Sequence, residues 1–235
     1  MAAFCCKTFH YARAVPNWLN LLLHPAKTIP TTPWSNAGGL WKFEFKSFSM
    51  LTIGLWIFGS GEAALLNAGI GVSPWTVLAE GIANNLKVGV GVATFIVSVS
   101  VLLLWLPLKQ LPGIGTIMNA IVIAVAIDVM RSVWPTPEQL WLQLPLALFG
   151  IGLVGLGSAI YLTARLGPGP RDGWMTGLHY KFGWPISRVR LGIELTVLST
   201  GWLLGGTVGL GTALFAILIG WSIAVNLALM PKVSN

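Results

Sequence analysis

Several carboxylates stand inside or beside apolar stretches of this sequence, where ionised groups are rare. Glu62 lies well inside one such stretch, and Glu80, Asp128 and Glu194 lie in or at the ends of others. A lone carboxylate in hydrocarbon costs at least about 2.5 kcal/mol, so each must face a partner, face water or carry a proton. Because Glu62 has no basic residue one helical turn away, it is the strongest candidate for binding a solute or exchanging a proton.

Other carboxylates do have a basic residue within about one turn. Asp128 has Arg131 three residues on, and Glu194 has Arg190 four residues back. Both spacings place the partners on one face of a helix. For Asp128 the pattern favours an ion pair near the membrane surface over a binding role.

A further charged pair, Arg171–Asp172, lies in a stretch that resists helix formation. Residues 165–178 are rich in glycine and proline; proline lacks a backbone N–H, and glycine readily takes left-handed angles. The two charges could pair with each other or with Glu194. We expect them to form one polar network with Arg190 and Glu194, at the cytoplasmic mouth of a central cavity.

The same kind of stretch occurs 96 residues earlier, from Asn67 to Gly81, and the offset stays constant without a gap. The chain is therefore a tandem duplication. The residues expected at the helix breaks and helix contacts align in this register: Gly71 with Gly167, Pro74 with Pro170, Gly115 with Gly211 and Thr116 with Thr212.

The two halves differ at the break itself. Arg171 and Asp172 align with Trp75 and Thr76, so the charged pair belongs to one half and the protein is functionally asymmetric. The aligned Gly-x-Gly-Thr motifs leave two interpretations open. Glycine allows close helix approach and threonine can satisfy a freed backbone group, so these motifs indicate either packing at a helix start or ion coordination.

Composition places the chain in a lipid bilayer. Its residues are 55% hydrophobic and 9% charged, against roughly 25% charged in soluble domains, and the mean hydropathy is +0.77. The net charge of +7 is therefore a topology signal and does not indicate nucleic-acid binding. No metal-ligand spacing, nucleotide loop or catalytic triad appears, so we expect no metal, no cofactor and no enzymatic activity.

Uncharged runs and turn signals predict an all-α polytopic membrane protein. A helix needs about 20 residues to cross the hydrocarbon, so shorter pieces are expected to be re-entrant or half-depth. The first repeat, about 46–134, is predicted to contain spans at 47–69, 88–108 and 113–131 and a short piece at 74–86. The second, about 141–230, is predicted to contain spans at 141–164, 188–205 and 209–230 and a short piece at 172–183.

The distribution of basic residues supports three spans in each repeat. With the N-terminus cytoplasmic, six spans leave only Lys87 and Arg131 outside, and eight spans give a weaker asymmetry. An odd number of crossings per repeat implies that the two repeats have inverted topology. We therefore expect both termini, and the loops at 109–112 and 165–171, on the cytoplasmic side.

Residues 1–45 are predicted to be a basic, irregular tail, much of which could be dispensable, while residues 46–235 form a single membrane domain. The tail contains several prolines and lysines. Its adjacent cysteines, Cys5 and Cys6, provide no disulfide framework.

Four ordered motifs in residues 47–225 resemble the YczE-type family of predicted bacterial integral membrane proteins. They are LNAGIGVSPWTVL, PGIGTIMNAIVIAVAID, RLGPGPRDGWMTGL and RVRLGIELTVLSTGWLLGGTVGLGTALFAILIG. The resemblance implies a multi-span protein of the bacterial inner membrane and no particular substrate or reaction. In that family an acidic residue commonly follows Ser-Pro-Trp. Here Thr76 occupies that place, which leaves Asp172 as the counterpart in the second repeat.

Broken helices in corresponding positions of inverted repeats favour a small secondary transporter or permease with a polar site at the repeat interface. The alternative is a non-transporting accessory or regulatory membrane protein. Expected partners are the lipid bilayer, a small-molecule or ion substrate, and a second copy or another membrane protein. The candidate binding residues are Glu62, Asn67, Ser73, Trp75, Glu80, Arg171, Asp172, Arg190 and Glu194.

Overall fold

The structure, a computed structural model, describes residues 29–233, and within this range the chain is helical and contains no strand. This confirms the all-α fold class. The helices are α1 (Phe45–Ala68), α2 (Pro74–Leu86), α3 (Val90–Leu103), α4 (Ile114–Arg131), α5 (Leu140–Ala164), α6 (Pro170–Phe182), α7 (Ile186–Leu203) and α8 (Leu210–Leu229), with a 3₁₀ turn at Leu106–Leu108 after α3.

The short helices α2 and α6 follow breaks that glycine and proline create. Each begins at a proline, Pro74 or Pro170, where the missing N–H costs no helical hydrogen bond. The preceding turns contain Gly71 at φ +112° and Gly167 at φ +123°, angles that residues with a β-carbon rarely adopt. Both breaks lie within the predicted stretches, but the second is shorter than expected: residues 165–178 were expected to resist helix formation, whereas α6 already begins at Pro170, so Arg171 and Asp172 lie in its first turn.

The first helices of the two repeats, α1 and α5, pack against each other at the centre of the fold. Gly54 lies against Gly157 and Gly61 against Gly150, so the two helices run antiparallel. A β-carbon on Gly157 would lie 2.5 Å from the backbone N of Phe58. In the 96-residue register these two glycine contacts are equivalent to each other, so the crossing is symmetric.

The last helix of each repeat begins against the break of the other repeat. The N–H of Gly115, at the start of α4, donates to the carbonyl of Leu166 at 2.8 Å. The N–H of Gly211, at the start of α8, donates to the carbonyl of Ile70 at 2.7 Å. A shift of 96 residues relates the donor and acceptor of one hydrogen bond to those of the other. Each repeat therefore makes the equivalent contact with the other repeat.

The packing of the two repeats differs at one pair of helices. In the first repeat α3 packs along α4, and Asp128 Oδ1 accepts the N–H of Gly91 at 2.8 Å. In the part of the chain that the structure describes, the equivalent helices α7 and α8 do not pack along each other, and α7 instead contacts α2 and α6. Helix α7 therefore stands away from α8 and is exposed along most of its length.

Among the described residues, five helices are long and apolar enough to cross a membrane: Phe45–Ala68, Val90–Leu108, Ile114–Arg131, Leu140–Ala164 and Leu210–Leu229. They correspond to five of the six predicted spans. The remaining predicted span, 188–205, corresponds to α7, whose 18 residues would reach about 27 Å. Arg188, Arg190 and Glu194 keep its hydropathy below that of the other five.

The predicted tail is described only from residue 29 onward, so residues 1–28 and the cysteine pair lie outside the described residues. Residues 29–44 contain no α-helix, in keeping with an irregular segment. They are nevertheless attached to the end of α5: Trp34 Nε1 donates to Thr163 Oγ1 at 3.0 Å, and the N–H of Asn36 donates to the carbonyl of Ala164 at 3.1 Å. Asn36 is buried, so this part of the segment belongs to the packed fold.

Candidate functional site

A cavity of about 310 Å³ lies between the two repeats, and both helix breaks contribute to its wall. Most of the charged residues singled out in the sequence meet there, although they come from several different helices. Its polar and charged lining consists of Glu62, Ser73, Trp75, Asn119, Ser158, Tyr161, Arg171, Asp172, Arg190 and Glu194.

Glu62 is 1% exposed and is held by hydroxyl groups at the start of α2. Thr76 Oγ1 donates to Glu62 Oε2 at 2.8 Å, and Ser73 Oγ lies 2.9 Å from both carboxylate oxygens. Each hydroxyl carries one hydrogen, so Ser73 donates to one oxygen at a time. The local sequence of α1 showed no partner for Glu62 because both partners lie on the next helix.

Arg171 enters the cavity from the first turn of α6. Its guanidinium lies 4.9 Å from the ring centroid of Trp75, within the range of a cation–π contact. Trp75 aligns with Arg171 in the duplication, so the two corresponding residues meet across the interface between the repeats.

Asp172, the next residue, accepts a hydrogen bond from the hydroxyl of Tyr161 at 3.1 Å through Oδ2. Among the described residues Arg171 forms no ion pair within 4 Å with Asp172 or with Glu194, so neither pairing considered from the sequence is formed. Sequence reasoning missed Tyr161. A signal was present, because Tyr161 lies one turn after Ser158, the residue that aligns with Glu62.

Arg190 and Glu194 form the ion pair that their spacing predicted. Arg190 Nε donates to Glu194 Oε1 at 2.9 Å, and the side chains are 54% and 35% exposed. The structure thus brings all four members of the predicted network to one cavity, with the α7 pair at its more exposed flank.

Asn67 and Glu80, the other candidate binding residues, do not line this cavity. Asn67 Nδ2 donates to the carbonyls of Arg131 and Trp134, at 2.8 Å each. Glu80 accepts the N–H of Thr207 at 2.7 Å and its hydroxyl at 3.0 Å. Asn67 thus connects the end of α1 to the end of α4, and Glu80 connects the middle of α2 to the segment before α8.

The expected ion pair between Asp128 and Arg131 was wrong: within residues 29–233 these side chains form no ion pair within 4 Å. Asp128 instead accepts the N–H of Gly91 in the first turn of α3. A carboxylate at a helix N-terminus satisfies a free backbone donor and interacts favourably with the helix dipole. The acceptor belongs to a neighbouring helix, so spacing along α4 did not reveal it.

The contacts of the Gly-x-Gly-Thr motifs support packing at a helix start, which is one of the two interpretations that the sequence left open. Thr116 Oγ1 donates to the carbonyl of Pro168 at 2.7 Å and also accepts the N–H of Gly113 at 3.1 Å. In the second repeat Thr212 Oγ1 accepts the N–H of Gly209 at 3.3 Å. Both threonines are buried and are used in satisfying backbone groups at the helix starts.

Comparisons with known proteins agree with the membrane character of the fold. An uncharacterized protein of Haemophilus influenzae is 43% identical over 194 residues, which cover 83% of this chain and 88% of that protein. The uncharacterized membrane protein YczE of Bacillus subtilis is 32% identical over 181 residues, covering 77% of this chain and 81% of YczE. No solved structure matches the chain. Residues 45–227 match the model of DUF6198, a family of unknown function, and with the likeness to YczE this confirms the resemblance seen in the sequence motifs: the chain belongs to this family of membrane proteins.

Proposed function

We propose that this protein is a small secondary transporter or permease whose solute site is the cavity between the repeats. The observation that carries the proposal is that charged residues of α1, α6 and α7 meet in one cavity at two helix breaks. Discontinuous helices in corresponding positions of a duplicated chain are the usual construction of transporter binding sites. Non-helical backbone at membrane depth is tolerated where it lines such a cavity.

The proposal includes an inverted arrangement of the two repeats in the bacterial inner membrane. The antiparallel crossing of α1 and α5 supports it, because these helices occupy the same place in each repeat. An inversion requires three crossings per repeat, with α7 as the sixth span and α2 and α6 at half depth. The excess of basic residues then puts both termini in the cytoplasm.

The different packing of the two repeats supports movement between two states. Helices α3 and α4 are closed upon each other, while α7 and α8 stand apart and both line the cavity. In a transporter built from repeats, alternating access arises when the repeats exchange such conformations. We propose that the opposite state closes α7 onto α8 and opens α3 from α4.

Thiol accessibility tests this proposal before any substrate is known. In a chain with Cys5→Ser and Cys6→Ser, Ser158→Cys places one thiol in the cavity. Ser60→Cys is the matched control, because Ser60 is a buried serine of α1, and neither Ser60 nor its equivalent in the second repeat, Leu156, lines the cavity. A membrane-impermeant thiol reagent is applied to right-side-out and to inside-out vesicles.

A transporter exposes its cavity to each side in turn, so the Ser158→Cys thiol should react in both kinds of vesicle and the Ser60→Cys thiol in neither. Reaction of Ser158→Cys from one side only, or from neither side, would contradict alternating access. That result would favour the accessory-protein alternative, in which the helix breaks serve packing or docking.

A further inference from the structure

We infer that the cavity binds a small zwitterion of the α-amino-acid class, with its carboxylate on Arg171 and its ammonium group on Asp172. The inference rests on the proposed function, since it names the solute of the same site. It follows from the hydrogen-bonding capacity of two adjacent side chains, from their opposite charges, and from the size of the cavity.

Arg171 has donors available for a carboxylate. A guanidinium carries five N–H donors in a planar fork that matches a carboxylate. Within residues 29–233, the Arg171 guanidinium has no ion pair within 4 Å and no hydrogen bond, and it lies 4.9 Å from the ring centroid of Trp75. That contact fixes the position of the guanidinium while leaving its N–H groups available.

Asp172 has acceptor capacity available for an ammonium group. Tyr161 donates to Oδ2, and Oδ1 has no hydrogen-bond partner in the part of the chain that the structure describes. No buried side-chain nitrogen or oxygen atom in that part lacks a partner, so Oδ1 reaches accessible space. Adjacent residues thus present donors and an acceptor that do not bind each other.

The opposite charges of Arg171 and Asp172 favour a zwitterion over an anion or a cation. Arg190 and Glu194 neutralise each other, and Arg171 and Asp172 contribute opposite charges. A zwitterion adds no net charge, whereas a simple ion would add one to a poorly solvated space. Glu62 gives the lining one more acidic group than it has basic groups, but this carboxyl group already has two hydroxyl partners.

The size and walls of the cavity indicate an apolar side chain on this solute. Its volume of about 310 Å³ lies at the lower end of the range for small-molecule pockets, ~300–1,000 Å³. The wall around the charged pair is mainly hydrophobic, with Phe58, Val154, Phe215, Ile219 and Ile223. An aliphatic or small aromatic amino acid combines these features.

Thermal shift of the purified protein tests the inference. The probes are L-alanine, L-valine, L-leucine, L-methionine and L-phenylalanine. Each is compared with two analogues: the carboxylic acid that lacks the amino group, and the amine that lacks the carboxylate group. A ligand that binds the folded state raises the melting temperature. At least one amino acid should do so at a concentration at which neither of its analogues does.

Variants connect this response to the two side chains. Arg171→Gln should weaken binding roughly 10–100-fold, the effect of losing hydrogen bonds to a charged group. Arg188→Gln, on the exposed start of α7 and outside the cavity lining, should leave binding unchanged. If Arg171→Gln does not fold, Asp172→Asn provides the test. The carboxylic acid analogue without an amino group should bind to this variant as tightly as the amino acid does.

Three results would overturn the inference: no response to any amino acid, equal responses to an amino acid and one of its analogues, or an unchanged response in both cavity variants. Uptake into proteoliposomes separates this inference from the proposed function. Amino-acid binding without uptake would support the inferred ligand class and contradict the proposed transport function. Uptake of a different class of solute without amino-acid binding would do the reverse.

Discussion

The antiparallel crossing of α1 and α5 should tolerate no β-carbon at its glycine contacts. At Gly157 an added β-carbon would lie 2.5 Å from the backbone N of Phe58 and 2.6 Å from the carbonyl of Gly54, whereas at Gly152 of the same helix nothing lies within 4 Å. Overpacking costs about 1–3 kcal/mol, and alanine in place of glycine within a helix gains about 0.5–1 kcal/mol. The gain is common to both positions, so Gly157→Ala should be less stable than Gly152→Ala by about 1–3 kcal/mol.

Tryptophan fluorescence during heating of the two purified variants measures this difference. For a chain of this length 1 kcal/mol corresponds to about 2–4 °C, so Gly157→Ala should melt roughly 2–12 °C below Gly152→Ala. Gly152→Ala itself should melt at or slightly above the unmodified protein. Equal melting temperatures for the two variants would refute the close crossing on which the inverted arrangement depends.

Three further predictions concern the cavity and the topology. Glu62→Gln should change solute uptake into proteoliposomes while lowering the free energy of unfolding by only about 1 kcal/mol, because the neighbouring hydroxyls can accept from the new amide; failure to fold would show a structural role instead. Asp172→Asn and Arg190→Gln should each weaken ligand binding, with a coupling of about 0.5–3 kcal/mol in the double variant, and additive losses would show independent action. Single cysteines at Gln110 and Pro168, in a chain without its native cysteines, should react with an impermeant reagent only from the cytoplasmic side; periplasmic labelling of either would reject the six-span topology.

Local signals made much of the fold predictable from the sequence. The prolines that open α2 and α6, and the glycines at positive φ before them, are determined by backbone sterics, so their positions followed from residue type. The 96-residue register then supplied long-range information. It implied that the breaks are equivalent, and the exchanged hydrogen bonds of Gly115 and Gly211 agree with that equivalence.

Contacts between helices account for what the sequence did not reveal. Asn67 and Glu80 are polar residues near a helix break, a position that is also typical of binding residues. Their hydrogen-bond partners, however, include backbone groups of distant segments. The acceptor role of Asp128 at α3 and the donor role of Tyr161 towards Asp172 likewise depend on how helices lie side by side. Of these residues only Tyr161 had a clue in the register of the duplication.

The separation of α7 from α8 leaves room at Gly220 that the opposite state would remove. In the first repeat Gly91 lies directly against the carbonyl of Ala124, and in the 96-residue register these residues correspond to Ser187 and Gly220. A β-carbon added at Gly220 would have no neighbouring atom within 4 Å. In the proposed opposite state, however, α7 would pack against this position. Gly220→Leu would therefore leave this conformation unchanged but prevent α7 from closing onto α8, which would stop transport. Gly192→Leu, at an equally open position, would not prevent this closure.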